Sequence, residues 1–355
     1  MAKSTVYVPV LRGREGEYAA YESLAGVVRA SLMPVIELPS IPYDYTQGRP
    51  SKSLEEHLDT LFKRAAQAFK THPFYLDFSW LEKSNDRKAK QIGVEKLASL
   101  DLAFSIVLTP SDTSADLRQI GRIIRTKGRS VAIRLRVKDF NEDSDVSVEI
   151  DRMMQAVELD VSDADLIIDL QDIGRDIDRA TLVARSIFSQ VPRKETWRRM
   201  VLVASSFPED LSEIDAASIE KLPRLEWNLW SRLQHKPAAL PRPDLIFGDY
   251  AISNPTQKEL DPRTMRMSAN IRYTTPDYWL IVKGRNVRKY GFDQYFDLCR
   301  ILIERHEYCG RDFSAGDRYI SDCAEGQTGP GNATTWRKVG VNHHITLMVE
   351  QLASR

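Results

Sequence analysis

The stretch "DLIIDLQDI", residues 165–173, has the pattern of a buried strand whose apolar run stops on a carboxylate. Asp169 ends the apolar run, and Gln171 and Asp172 lie just beyond it. A nearly continuous apolar run is typical of a strand in a parallel sheet, because helices cover both faces of such a sheet. Whether a sheet of this kind exists depends on similar strands elsewhere in the chain.

Short β-rich runs recur up to residue 252, and each is followed by a segment with helical periodicity. Strict alternation of strand and helix implies parallel strands with right-handed crossovers. The predicted strands are residues 5–12, 32–39, 73–78, 103–110, 130–137, 165–171, 199–206 and 244–252. Eight is the number at which such a sheet closes, so the sequence predicts an α/β fold of the TIM-like (β/α)8 barrel type.

An open, doubly wound sheet is the alternative architecture. It is less favoured because the first turn between strand and helix, "LRGREGEY" (11–18), does not form a GxGxxG loop after the strand. We therefore assign residues 1–252 to the barrel strands and helices.

The pattern changes in residues 253–355, which we expect to elaborate the barrel and pack on it. "SANIRYTT" (268–275) and "DYWLIVKGR" (277–285) predict a hairpin, and "FDQYFDLCRILIERHEYC" (292–309) predicts an amphipathic helix that could close the barrel as its eighth. A polar, glycine-rich stretch follows, before a last short helix, "ITLMVEQLA" (345–353).

The composition excludes several classes of protein. Lysine plus arginine equals aspartate plus glutamate at 50 each, so no overall field attracts nucleic acid or an anionic membrane. No stretch approaches the roughly 18 apolar residues of a membrane span, and the three cysteines form no CxxC pair, which favours a reducing, cytoplasmic location. Tryptophan and arginine occur together at 196–200 and 224–233, a combination that can bind single-stranded nucleic acid by stacking. Packing of these side chains in the protein interior is the favoured interpretation.

Side-chain alternation along each predicted strand places charged residues on the barrel axis near its C-terminal mouth. Gln171 falls on the axis by the same rule. The acids are Glu37, Asp77, Asp169 and Asp249, and the arginines are Arg12, Arg134 and Arg136. Barrel enzymes of this type place their catalytic groups at that end, because the loops that follow the strands converge there.

Two interpretations of this predicted cluster stay open. In the first, the four acids bind Mg²⁺ or Mn²⁺ or act as acid and base groups, while arginines grip a phosphate. In the second, acids and arginines neutralise one another in a polar interior. No Walker A motif, GxSxG, HExxH or zinc-type cysteine spacing decides between them, so whether the chain is an enzyme stays open.

The C-terminal segment "TTWRKVGVNHHI" (334–345) contributes further candidates. His343 and His344 are candidate acid or base groups if the segment covers the mouth, but adjacent histidines diverge and make a poor metal pair. The simpler interpretation is that they cap a terminal helix. Additional candidate ligand-binding residues are Gln171, Lys283, Asp317, Arg318 and Trp336.

Three segments of the chain carry a family resemblance: "YVPVLRGREGEYAAYESL" (7–24), "MPVIELP" (33–39) and "GDRYIS…GNATTWRKVGVNHHIT" (316–346). They resemble the beta protein family of satellite phages and bacterial mobile elements. The resemblance runs along nearly the whole chain. Members of that family accompany a toxic partner, Gop, and a small regulator in a three-gene anti-phage cluster, and they restrain the toxin.

The resemblance therefore implies an antidote, regulator or sensor whose partners are the toxic protein of the same gene cluster and a phage-derived trigger or small ligand. The resemblance does not identify any catalytic residue in this chain. The alternative hypothesis, from the predicted mouth, is a metal-assisted hydrolase or phosphodiesterase acting on a phosphorylated or nucleotide substrate.

Overall fold

The computed structural model describes residues 6–84, 88–127, 129–141, 145–235, 240–256 and 267–354. Its strands are β1 (Tyr7–Leu11), β2 (Val35–Glu37), β3 (Tyr43–Asp44), β4 (Arg49–Pro50), β5 (Phe74–Asp77), β6 (Phe104–Leu108), β7 (Val131–Arg136), β8 (Asp165–Asp172), β9 (Arg199–Ser205), β10 (Ser218–Pro223), β11 (Ile246–Asp249), β12 (Ser268–Thr274) and β13 (Tyr278–Asn286).

The helices of the same described residues alternate with the barrel strands until β11 and then follow one another. They are α1 (Glu15–Glu22), α2 (Gly26–Arg29), α3 (Leu54–Phe69), α4 (Ser79–Ser84), α5 (Lys88–Ala98), α6 (Ser114–Lys127), α7 (Val146–Val157), α8 (Ile177–Gln190), α9 (Leu225–Gln234), α10 (Val287–Tyr290), α11 (Gln294–Ile303), α12 (Ala315–Ala324) and α13 (Ala333–Ala353). Among the described residues, no helix combines the length and apolarity needed to cross a bilayer.

Eight strands pair in parallel and close into a barrel in the spatial order β1-β11-β9-β8-β7-β6-β5-β2. The predicted (β/α)8 barrel is confirmed, and β8 is the strand of the opening stretch. Side chains on the axis form an inner core that includes Val10, Val35, Ile167 and Val203. The alternate side chains of the same strands pack against the helices in a second, larger core.

Local signals explain where several helices begin. Ser53 precedes α3, and its hydroxyl accepts a hydrogen bond from the backbone N–H of Glu56, while the Glu56 carboxylate accepts one from the backbone N–H of Ser53. Asp145 accepts from the first turn of α7 in the same way. Such caps satisfy N–H groups that have no partner inside the helix, so these helices start where the sequence places a capping side chain.

The helix that closes the barrel is α13. It packs against α1 and β1, and Val341, Ile345 and Met348 enter the large core that lies between strands and helices. The expectation that residues 292–309 supply the closing helix was wrong, because α11 packs with α12 on the hairpin in a separate core. The last helix is also longer than predicted, since it begins at Ala333.

The predicted hairpin is present as β12 and β13, and a third strand extends it. β10 pairs antiparallel with β13, which gives the sheet order β10-β13-β12. The sequence did not predict β10, because "SIEKLP" (218–223) is short, largely exposed and ends on proline. The C-terminal hairpin is therefore joined to a segment that precedes residue 252.

Candidate functional site

The carboxyl ends of two pairs of neighbouring strands, which β6 separates, bring charged residues together at the barrel mouth. Glu37 and Asp77 are direct partners in the pairing of β2 with β5, and Arg136 and Asp169 are partners in the pairing of β7 with β8. Arg134 lies two residues before Arg136 on the same face of β7. Strand pairing alone thus fixes the positions of these five side chains.

Arg134 lies at the centre of this cluster and is completely buried. Its Nη1 is 2.9 Å from Glu37 Oε1 and 2.6 Å from Asp77 Oδ2, and its Nη2 is 2.8 Å from Asp169 Oδ2. The planar guanidinium carries donors on both edges, so one side chain can pair with three carboxylates. We call Arg134 with these three acids the mouth network.

Tyr250 completes the mouth network, and sequence reasoning missed it. Its hydroxyl donates to Asp169 Oδ2 over 2.7 Å and accepts from Arg134 Nη2 over 2.8 Å. Tyr250 belongs to the inner core, with its ring on the barrel axis. The sequence "GDYAI" (248–252) is compatible with either assignment of its two faces. The assignment opposite to the predicted one places Gly248 and Tyr250 inward.

The prediction that Asp249 faces the barrel axis was therefore wrong. Asp249 lies behind the barrel wall, where its carboxylate accepts from Tyr7 Oη over 2.5 Å and lies 3.0 Å from His344 Nε2. Phe247 faces the same way and packs against Trp227 of α9. Gly248 leaves the inward position without a side chain, so the hydrophobic pattern of this strand did not distinguish its two faces.

His343 and His344 are buried in the middle of α13 and neither caps a helix end. His343 Nδ1 lies 2.8 Å from Asp317 Oδ2, and its Nε2 lies 2.8 Å from the carbonyl oxygen of Thr274. His344 Nδ1 lies 2.9 Å from the hydroxyl of Thr274. The two rings thus connect α13 to the hairpin, to α12 and, through Asp249, to β11.

Burial and charge act in opposite directions on the acids of the mouth network. Burial raises the pKa of Glu37 above its usual value, and the guanidinium of Arg134 offsets only part of that effect. For Asp77, burial also raises the pKa, but the nearby Arg134 and Arg136 outweigh it and hold the pKa below its usual range. Two acids on neighbouring strands therefore differ in their tendency to carry a proton.

Two buried polar atoms at the mouth, Glu37 Oε2 and Arg12 Nη1, have no hydrogen-bond partner within the described part of the chain. Arg12 Nη2 donates to the carbonyl oxygen of Asn254, and the guanidinium lies 5.5 Å from the ring centre of Trp80. The ion pairs of Arg136 with Asp77 and Asp169 are long, at 3.6 Å and 3.7 Å. These groups can donate to or accept from a small polar ligand without breaking the mouth network.

The remaining candidates lie apart from the mouth network, except Gln171. Gln171 follows Asp169 with a positive φ of 57°, and its backbone N–H donates to Asp169 Oδ1. Lys283 donates to carbonyl oxygens of the segment before β10, and Asp317 pairs with His343. Arg318 is exposed and pairs with Asp312. The indole N–H of Trp336 donates to the carbonyl oxygen of Pro330, and its ring stacks on Tyr295. These contacts are those of structural residues.

The metal-site hypothesis gains no support from the described residues, which contain no group of three or more histidine, cysteine, aspartate or glutamate side chains arranged to hold an ion. Asp249 lies on the other side of the wall, and Arg134 stands between the other three acids. A cation placed there would meet a guanidinium at contact distance, which like-charge repulsion disfavours.

Comparison with family models matches residues 7–350 to the family described as Beta protein. No curated protein matches the chain. Among solved structures, type I 3-dehydroquinate dehydratase from Clostridium difficile is 11% identical with a TM-score of 0.41, covering 72% of this chain and 88% of that one. Active domain 2 of chitinase from Pyrococcus furiosus is 12% identical with a TM-score of 0.40, covering 70% and 83%.

Proposed function

The chain belongs to the Beta protein family, and on this premise we propose that it serves in anti-phage defence as the regulator that restrains a toxic partner protein encoded beside it. In this proposal the chain acts by binding. The trigger or small ligand would be recognised at the barrel mouth.

The observation that carries the binding role is the mouth network itself. Arg134 pairs with Glu37, Asp77 and Asp169 in full burial, so the acids of the mouth already have a permanent cation. Burying four charged groups is costly, and a buried network of this kind is stable only with good geometry and further hydrogen bonds. Such a fixed arrangement suits recognition by shape and charge.

One observation favours the alternative, a hydrolase acting on a phosphorylated or nucleotide substrate. Glu37 combines a raised pKa with a buried Oε2 that has no hydrogen-bond partner among the described residues, and these are the properties of a general acid. Arg12 Nη1 is the nearby donor that could contact a phosphate oxygen. In this alternative the chain would remove a toxic product or a signal instead of binding the partner.

Growth of cells that co-express the chain with the toxic partner tests the proposal and separates it from the alternative. We expect the wild-type chain to restore growth. Glu37→Gln should restore it as well, because the amide keeps the hydrogen bond to Arg134 while it removes the titrating proton. Glu55→Gln, on the exposed first turn of α3, is the matched control.

Failure of the wild-type chain to restore growth would overturn the regulatory role. Loss of rescue in Glu37→Gln, with rescue retained in Glu55→Gln and with equal amounts of folded protein, would favour the hydrolase instead. Circular dichroism and thermal unfolding of both purified variants supply that comparison of folding.

A further inference from the structure

A charged cavity lies at the end of the barrel opposite the mouth. It has a volume of about 870 Å³ and is lined by residues that begin β6 and β9, including Phe104 and Arg199, and by the segments that precede β5 and β7. Parallel strands all start at this end, whereas the mouth network lies where they finish. The cavity is therefore separate from the site described above.

Positive charge predominates in the lining of this cavity. The cations are Lys127, Arg129, Arg198 and Arg199, and the acids are Asp101 and Asp163. Three serine side chains, among them Ser105 and Ser130, add hydroxyl groups to the same wall. A concave surface with several cations concentrates anions, because its walls focus the field.

Two of the four cations contact the same buried acid beneath the cavity, one closely and one at a longer distance. Arg198 contacts buried Asp165 through two nitrogens, with Nε 2.8 Å from Oδ1, and its Nη2 lies 2.8 Å from the hydroxyl of Ser130. Asp165 also accepts from Tyr75 Oη over 2.8 Å. Arg199 approaches Asp165 only to 3.4 Å, and its side chain is about one third exposed. Arg198 is therefore structural, while Arg199 retains donors that face the cavity.

Arg129 supplies the feature that points to a ligand. Its guanidinium lies 4.0 Å from the ring centre of Phe104, and Nη2 donates to the carbonyl oxygen of Leu100 over 2.9 Å. These two contacts fix the side chain in place, yet Nη1 is buried and has no hydrogen-bond partner among the residues that the structure describes. A buried guanidinium N–H without an acceptor is costly, and an anionic oxygen is the acceptor that relieves that cost most.

We propose that this cavity binds a phosphate-bearing small molecule of mononucleotide size, with Arg129 Nη1 donating to a phosphate oxygen and Arg199 and Lys127 contributing charge. The volume lies within the usual range for small-ligand pockets. Apolar wall residues, including Met33, Leu100 and Leu102, offer a surface to the uncharged part of the ligand. This site goes beyond the regulatory role proposed above and does not depend on it.

Isothermal titration calorimetry of the full chain at low salt tests the proposal with three probes: a nucleoside monophosphate, the matching unphosphorylated nucleoside, and inorganic pyrophosphate. We expect saturable heat with the monophosphate, weaker binding of pyrophosphate, and no saturation with the nucleoside. In Arg129→Gln the dissociation constant of the monophosphate should rise by about tenfold or more. Arg179→Gln, which removes an exposed arginine of α8, is the matched control and should bind like wild type.

Absence of saturable heat with both phosphate probes would overturn the proposal, and so would equal affinities in Arg129→Gln and Arg179→Gln. Because Arg129 also packs on Phe104, thermal unfolding accompanies each titration, and Arg199→Gln replaces it if Arg129→Gln does not fold. A single-stranded oligonucleotide that binds more tightly per phosphate than the monophosphate would overturn the assignment of a small molecule and indicate a nucleic-acid groove instead.

Discussion

Tyr250 and Asp169 are joined across the barrel although their strands are not neighbours. The hydroxyl of Tyr250, which directly follows β11, donates to Asp169 Oδ2 of β8 over 2.7 Å, and β9 lies between the two strands. Arg134 of β7 contacts both groups. Side-chain hydrogen bonds therefore connect strands that backbone pairing leaves separate, and they do so at the C-terminal end of the strands, where barrel enzymes of this type place their active sites.

Tyr250→Phe should destabilise the protein by about 1–3 kcal/mol, because it leaves Asp169 and Arg134 each short of one buried hydrogen-bond partner. Tyr290→Phe, at a half-exposed ring of α10, is the control and should change the free energy of unfolding little. Urea unfolding followed by tryptophan fluorescence measures both. Equal midpoints for the two variants would show that the link across the barrel is not stabilising.

Removal of the central cation should have a larger effect. Arg134→Met leaves three buried carboxylates without their shared partner, and breaking such a pair costs about 3–5 kcal/mol. Arg175→Met breaks the ion pair with Glu213, in which both side chains are more than 80% exposed, and should leave stability unchanged. Chemical unfolding compares the two variants. A small decrease in the free energy of unfolding for Arg134→Met would mean that water already solvates the charges of the mouth network.

The pH dependence of stability should reveal Glu226 of α9. Burial raises the pKa of its carboxyl to about 7, against the opposing charge of Arg224. Between its unfolded pKa, about 4.3, and 7, the folded chain keeps a proton that the unfolded chain has released. Its contribution to stability is complete below the unfolded pKa and is lost as the pH rises through the folded pKa.

Glu226→Gln removes this titration, so the stability of wild type relative to the variant should fall between pH 5 and pH 7, by at most about 1.4 kcal/mol per pH unit. Glu220→Gln, at an exposed position of β10, should show no such slope. Urea unfolding at pH 5, 6 and 7 measures the difference. A constant difference across that range would place the pKa of Glu226 elsewhere.

Gly248 should be irreplaceable at the wall of the barrel. A Cβ at this position would lie 2.7 Å from the carbonyl oxygen of Val8 and 2.8 Å from a methyl group of Val203, which is too close for either contact. Gly248→Ala should cost about 1–3 kcal/mol by overpacking. Gly26→Ala, where a Cβ meets nothing within 4 Å, should be neutral or slightly stabilising. Thermal unfolding of the pair checks this, and a stable Gly248→Ala would show that β1 can move.

The barrel was predictable because alternating strand and helix signals leave few topologies, and Glu37, Asp77 and Asp169 were predictable because each follows an apolar run with clear parity. Asp249 was misplaced because Gly248 beside it has no side chain to mark a face. The sequence also does not show which cation each acid pairs with. Arg134 reaches Asp77 over 57 positions of the chain, a contact that only the closed barrel creates.

The helix α13 was only partly predictable for a related reason. Asn342, His343 and His344 make its first half look polar, so periodicity indicated a helix only from residue 345. In the fold these side chains are buried with partners on other elements, and Asn342 donates to the carbonyl oxygen of Ala20 on α1. Burial of satisfied polar groups thus concealed the helix that closes the barrel.

If the chain restrains its partner by binding it, the two co-expressed proteins should co-elute in size-exclusion chromatography at a fixed molar ratio. We expect a stoichiometric complex that persists in Glu37→Gln. Separate elution of the two proteins, together with growth rescue by a substoichiometric amount of the chain that Glu37→Gln abolishes, would contradict it.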